Sequence, residues 1–313
     1  MISYPRIRHK PCLYRKYEFV IKKGRDTLFY IGDSMLADFH VHSEYSDDSL
    51  TPLEENILQA IDYGVEEICF TEHVDYGVKF DWDEVDEMPY RRNYPFANCD
   101  YPAYFEAIEE VKKKYKDQIK IRAGLEFGMQ PHTIPRYEEL YSTYQDDLDF
   151  ILLSVHEIDD KEFWNQKCQE GKTQKEYNEY YYKTLYSIMQ EYKHYNVLAH
   201  LDLITRYDQN GIYPFEKVEE FIRAILQLAI DDGKGIEVNT SSWRYGLKDP
   251  QPSRDILRLY KELGGTIITT GSDAHQAKNI AKDFDKTLKM LKEEIGFSQF
   301  TTFEAQKPIF HDL

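Results

Sequence analysis

Six of the ten histidines in this chain, together with a few carboxylates, sit where a metal site could be assembled. In Asp38-Phe39-His40-Val41-His42 an apolar run beginning at Met35 leads into two imidazoles. They project to the same side because side chains of an extended strand repeat with period two. Further along, Glu72-His73, Glu126, His156, His200, Asn239 and Asp273-Ala274-His275 each close a short β-rich apolar run. Neutral imidazole and carboxylate are the ligand set of catalytic divalent metals. A zinc site with an open position takes about three protein ligands. The strand-end set exceeds that need and predicts two or three ions. A carboxylate such as Glu126 can bridge a metal pair, which generates hydroxide at neutral pH and stabilises a phosphoryl transition state. The chemistry this favours is phosphoester hydrolysis by a metal-bridging hydroxide. Ser46, Ser154 and Ser272 lie near these residues, but none has a neighbouring base once the histidines are committed to metal. His9, His132, His194 and His311 fall away from strand ends and read as hydrogen-bonded structural residues.

The elements that must position this set alternate in type. Short apolar runs at Met35–Phe39, Glu66–Thr71, Lys120–Leu125, Phe150–Val155, Asn196–Ala199, Gly235–Val238 and Gly265–Thr270 read as strands. Between them, helical patterns are expected from Thr51, over 101–116, 135–144, 174–194, 214–231 and 253–263, with a last helix over 279–295 and a short β-like tail. Alternating strands and helices mark βα units around a parallel sheet. Such units place active sites at the C-terminal strand ends, where the loops converge over a rigid scaffold. Thr51-Pro52-Leu53-Glu54 reads as a capping box with Thr51 as N-cap, and Thr173 with Glu176 as a second. Residues 74–100, rich in Asp, Tyr and Pro, make a connection far longer than is usual and are a candidate lid.

At 313 residues the chain suits one α/β barrel, here placed at 34–313. Residues 1–33 hold eight Lys and Arg against three acidic residues and read as an N-terminal extension, a β-hairpin with a packed edge or homo-oligomer contact as its role. A formal charge of -17 repels phosphate backbones and anionic lipid, which argues against nucleic-acid and membrane partners and leaves small phosphoesters open. Cys12, Cys69, Cys99 and Cys168 are widely spread and read as free thiols, and no apolar run reaches membrane-spanning length. A cytoplasmic protein is expected.

The succession His40-x-His42-x-x-x-Ser46-x-Asp48, Glu72-His73, Gly124-Leu125-Glu126, Ser154-Val155-His156, Ala199-His200-Leu201-Asp202 and Gly271-Ser272-Asp273-Ala274-His275 resembles the PHP (polymerase and histidinol phosphatase) superfamily across residues 36–284. The resemblance implies a distorted seven-stranded (β/α) barrel with a trinuclear metal centre. It implies His40, His42, Glu126 and Asp273 on the first metal and Glu126, His156 and His200 on the second. His73, His275 and Asp48 would hold the third. Some relatives have histidine where Asp48 stands, and the more oxygen-rich third site leans toward manganese or iron beside zinc. Residues 199–206 and 237–244 look most like the histidinol-phosphate phosphatases, with Arg206 and Arg244 as candidates to bind the substrate phosphate through paired charge-assisted bonds. Ser242 departs from the glycine common before the arginine-bearing turn. The leading expectation is hydrolysis of L-histidinol phosphate in histidine biosynthesis, with Glu126 as bridge and Asp48 or His275 as proton source for the leaving group. Another small phosphoester, such as a nucleotide or a cyclic phosphodiester, is the alternative substrate class.

Overall fold

A computed structural model describes residues 35–84, 90–91 and 94–313; the expected hairpin within 1–33 lies outside the described residues. Seven strands, Ala37–Val41 (β1), Glu67–Val74 (β2), Lys120–Gly128 (β3), Phe150–Ser154 (β4), Val197–Leu198 (β5), Gly235–Asn239 (β6) and Ile268–Gly271 (β7), form one sheet in chain order. Every ladder is parallel. Most of their side chains are buried on both faces, as in β1 and β4, which is why these strands read in sequence as continuous apolar runs rather than alternating ones. The sheet curls until β7 returns to β1. There the His42 amide donates to the Ala274 carbonyl at 2.9 Å, the Asp273 amide to the His40 carbonyl at 2.8 Å, and the Thr270 hydroxyl to the Ala37 carbonyl at 2.8 Å. The result is a nearly closed (β/α) barrel of seven strands.

Seven α-helices connect or follow these strands: Leu53–Asp62 (α1), Tyr101–Tyr115 (α2), Ile134–Tyr144 (α3), Gln174–Glu191 (α4), Glu219–Asp231 (α5), Arg254–Glu262 (α6) and Phe284–Lys289 (α7). In α5 the buried residues Ile222, Ile225, Leu226 and Ala229 repeat at i, i+3, i+4 and i+7, one apolar stripe turned to the sheet. A C-terminal hairpin, Gln299–Glu304 (β8) with Lys307–Asp312 (β9), seals the end of the barrel where the strands begin. The Thr301 hydroxyl accepts the Ile268 amide at 3.3 Å, Phe303 stacks on Phe150 with centroids 5.1 Å apart, and the hairpin turn donates to Asp149. With that end closed, a cavity among the described residues opens at the other.

Two expectations need correction. Thr51 does not cap α1: its hydroxyl donates to the His275 carbonyl at 3.1 Å, and the Leu53 amide turns to the Glu44 carboxylate instead. The last helix is not continuous from 279. A 3-10 turn at Ala277–Asn279 is separated from α7 by Ala281 and Asp283 at positive φ, because the Asp38 carboxylate accepts the Ala281 amide and the Thr240 hydroxyl donates to the Lys282 carbonyl. By contrast the β-like tail forms as read, as the β8–β9 hairpin. The Thr173–Glu176 capping box also forms as read, the Thr173 amide donating to Glu176 at 2.7 Å. No helix among the described residues is long and apolar enough to cross a membrane.

Candidate metal centre

Glu126 is fully buried near the end of β3, paired in the ladder with His73 of β2. Its two carboxylate oxygens face different imidazoles. Oε1 lies 2.8 Å from His200 Nε2 and 3.1 Å from His156 Nε2. Oε2 lies 3.1 Å from His73 Nδ1, 3.2 Å from His40 Nε2 and 3.6 Å from His42 Nε2. Asp273 Oδ1 stands 3.5 Å from His275 Nδ1, 3.6 Å from His42 Nε2 and 3.8 Å from His40 Nε2. Asp48 Oδ2 is 3.0 Å from His275 Nε2 and 3.7 Å from His73 Nε2. Thus all nine residues expected as ligands converge at one end of the barrel. Their donor atoms fall into groups whose members lie within 4.8 Å of one another, among them His40, His42 and Glu126; Glu126, His156 and His200; and His42, His73 and His275.

This donor set fits divalent cations. His42 Nε2 is buried with no hydrogen-bond partner, and a polar atom left so costs about 1–3 kcal/mol unless something else satisfies it. Burial works against charge on Glu126, yet His40, His156 and His73 outweigh it and hold the carboxyl well below its usual range, in the form that binds metal. The same balance, with His40 and Arg206 among the partners, holds Asp273 ionised. His42, buried and flanked by His73 and His275, is pushed well below the ordinary imidazole value and is the neutral ligand form.

A further layer of side chains orients the clustered imidazoles and carboxylates, and only part of it is legible in the sequence. Glu237 accepts from His40 Nδ1 at 2.6 Å and from the His200 amide at 2.8 Å. Asp75 Oδ1 lies 2.7 Å from His156 Nδ1, while Lys79 Nζ sits 2.6 Å from both Asp75 and Asp47. Glu72 accepts from the Ser43 hydroxyl at 2.7 Å and the Ser46 hydroxyl at 2.5 Å, tying down the loop that carries Asp48. Partners of this kind fix ring orientation and raise ligand basicity. Glu237 could have been found: with Asn239 it alternates against Ile236 and Val238, two polar residues on one side of a strand whose every residue is buried. Asp75 and Lys79 had no such signal, lying in a long loop already rich in acids. Two residues of the cluster adopt backbone conformations unusual for non-glycine residues, His200 at φ 24° and Asp273 at φ 52°. The Glu237 carboxylate and the His40 carbonyl hold their amides there. At Gly271 any side chain would run into Glu237 and His40, which accounts for glycine beside the ligand loop.

The cluster forms the floor of a cavity of about 600 Å³ lined also by Val78, Lys79, Glu157, Trp164, Arg206 and Tyr245. The described part of the long 74–100 connection therefore reaches the site through Val78 and Lys79. Arg206 has a side chain only 5% exposed. Its guanidinium donates to Ser241 Oγ at 2.6 Å and Gln251 Oε1 at 3.0 Å, stands 3.4 Å from Asp273 Oδ2, and lies over the Tyr245 ring at 4.4 Å. Arg244 is set differently. Its Nη2 donates to the Ser272 and Asp273 carbonyls at 2.9 Å each, gripping the ligand loop from behind, while Nη1 is buried without a partner. His132, His194 and His311 lie elsewhere, beside Asp160, Tyr141 and Thr302. Cys69, Cys99 and Cys168 are free thiols.

Residues 38–241 match the family model described as PHP domain. A histidinol-phosphatase of Lactococcus lactis subsp. lactis is 32% identical over 287 residues, 86% of this chain and 95% of its own length. The histidinol-phosphatase of Bacillus subtilis is 25% identical over 274 residues, 80% of this chain and 98% of its own. A crystal structure of histidinol phosphate phosphatase from Lactococcus lactis, complexed with zinc, L-histidinol and phosphate, is similar with a TM-score of 0.74 at 30% identity, covering 88% of this chain and 98% of that one. The strand-end ligands, the barrel that carries them and these likenesses agree: the chain belongs to the PHP domain family.

Proposed function

We propose that this chain is a metal-dependent phosphomonoesterase that converts L-histidinol phosphate and water to L-histidinol and phosphate, a step of histidine biosynthesis. The observation that carries the reading is the likeness, at 30% identity over nearly all of the other chain, to a phosphatase crystallised with zinc, histidinol and phosphate. His40, His42, Glu126 and Asp273 would hold one ion, Glu126 with His156 and His200 a second, and His73, His275 and Asp48 a third. Zinc suits the imidazole-rich positions and manganese or iron the more oxygen-rich third. When bound, such ions supply a hydroxide nucleophile at neutral pH and neutralise charge on the phosphoryl oxygens. The protein's own part is positioning. Glu126 presents one oxygen to each of two ligand groups, and Glu237 and Asp75 fix the imidazoles of His40 and His156. Arg206, on the cavity wall, receives phosphate oxygens. Arg244 holds the Asp273 loop with one nitrogen and keeps another for the same anion. Asp48 and His275, 3.0 Å apart at the cavity, are the groups that can hold the proton for the departing alkoxide. Of the serines near the site, Ser46 and Ser154 donate their hydroxyls to Glu72 and to the Phe127 carbonyl, and Ser272 Oγ is buried with no hydrogen-bonded base to activate it. A cytoplasmic location suits such an enzyme, with residues 34–313 as its catalytic domain and 1–33 as an appendage.

Turnover of L-histidinol phosphate against a panel of phosphomonoesters and cyclic phosphodiesters tests the substrate. Highest kcat/KM is expected for histidinol phosphate, and a clear preference for a diester or a nucleotide would refute the assignment. Arg206→Ala should lower kcat/KM by roughly ten- to a hundredfold, the worth of a charge-assisted bond to an ionised group, with metal content retained. Arg244→Ala should act in the same direction. If neither changes kcat/KM, the arginines do not meet the phosphate.

A further inference from the structure

One wall of the cavity carries an acid that the site as described does not use. Directly after β4 the chain forms a short antiparallel ladder, Glu157–Ile158 with Lys161–Glu162, which sets Glu157 opposite Glu162. Like charges placed so are destabilising, and both residues line the cavity. Glu157 is 1% exposed, and its Oε1 is buried with no hydrogen-bond partner. The cationic groups of the same wall are engaged elsewhere. The Lys79 ammonium lies between Asp47 and Asp75, Arg206 is held by Ser241, Gln251 and Asp273, and the two ring nitrogens of His156 face Asp75 and Glu126. Glu157 thus lines the cavity while one of its oxygens is buried without a partner, which is costly for an ionised carboxyl, and a cationic group brought against that wall offsets the cost.

We propose that Glu157 is the subsite for a cationic nitrogen on the leaving alcohol, so that the preferred substrates are phosphomonoesters of amino alcohols; this rests on the phosphomonoesterase reading above. The cavity is then polarised along the substrate. Its anionic end meets the metal centre and Arg206, and its cationic end meets the ladder after β4. Such a site discriminates by leaving an acid unpaired when the substrate lacks the amine, which is a stronger filter than shape alone. Glu157 takes no part in bond breaking and acts as a specificity-determining residue.

The test compares wild type with Glu157→Gln, both metal-loaded, on L-histidinol phosphate, O-phosphoethanolamine and the amine-free p-nitrophenyl phosphate. The ratio of kcat/KM for the amine-bearing esters to that for p-nitrophenyl phosphate should fall about ten- to a hundredfold in the variant. The inhibition constant of L-histidinol against p-nitrophenyl phosphate turnover should rise by a similar factor. An unchanged ratio, or equal loss on all three substrates with lowered metal content, would overturn the subsite and leave the phosphatase reading intact. If wild type hydrolyses p-nitrophenyl phosphate and O-phosphoethanolamine but not histidinol phosphate, the histidinol assignment fails and the ratio for O-phosphoethanolamine still decides the subsite. If it hydrolyses none of the three, calorimetric binding of L-histidinol to wild type and variant decides it, equal affinity overturning the proposal.

Discussion

Replacing Glu126 with glutamine is expected to cost roughly a hundred- to several-thousandfold in kcat/KM, the scale of uncompensating a buried charge cluster by about 3–5 kcal/mol, while far-UV circular dichroism stays that of the folded protein. Glutamine matches glutamate in shape and fits the same space in β3. What it lacks is the charge. Five imidazoles stand within 3.6 Å of the two Glu126 oxygens, three on one and two on the other. An amide offers one oxygen and one NH2, so one of those two groups would meet a donor where it now meets an acceptor. Metal content per chain should fall with activity. Near wild-type turnover at full metal content would mean that Glu126 is not the bridge.

Removing metal with a chelator should abolish turnover, and zinc or manganese should restore it. Stability should fall too. An ion present at ~100 times its dissociation constant stabilises the folded state by about 2.7 kcal/mol, and a change of that size moves the melting temperature of a domain this large by about 5 °C or more. The physical reason is local. Without ions the barrel mouth holds six imidazoles and several carboxylates at close range, with His42 Nε2 left unpartnered. Elemental analysis of protein purified without chelator should give two to three transition-metal ions per chain. A consistent value below one, or a melting temperature and activity indifferent to complete removal, would sink the multinuclear centre.

The clustered histidines and carboxylates were readable in the sequence because a polar residue that ends an apolar run is conspicuous, and a parallel strand buried on both faces is such a run. Each strand therefore marked both itself and the end at which the cluster gathers. What stayed hidden depends on contacts between distant segments. Thr51 has the residue type and neighbours of an N-cap, but the His275 carbonyl, 224 positions away, claims its hydroxyl. The break before α7 follows from bonds to Asp38 and Thr240, which no periodicity records. Lys79 looks like an ordinary loop lysine until folding places it between two buried aspartates. Arg206 and Arg244 both read as phosphate binders, and their different anchoring, Arg206 on Ser241 and Gln251 and Arg244 on the Ser272 and Asp273 carbonyls, depends on the folded chain.

The seam where β7 rejoins β1 has a consequence for how the chain must be made. His40 in β1 and Asp273, two residues past β7, lie at opposite ends of the sheet order, and until residues 268–275 are available β1 has a partner on one side alone. During synthesis the long stretch between them has to wait with an open, apolar sheet edge, the kind of edge that pairs with other chains. Contacts of such large sequence separation also form slowly. The histidine and carboxylate cluster at the mouth cannot assemble before that last strand docks, so its residues from both sides of the seam come together in the same event that removes the edge.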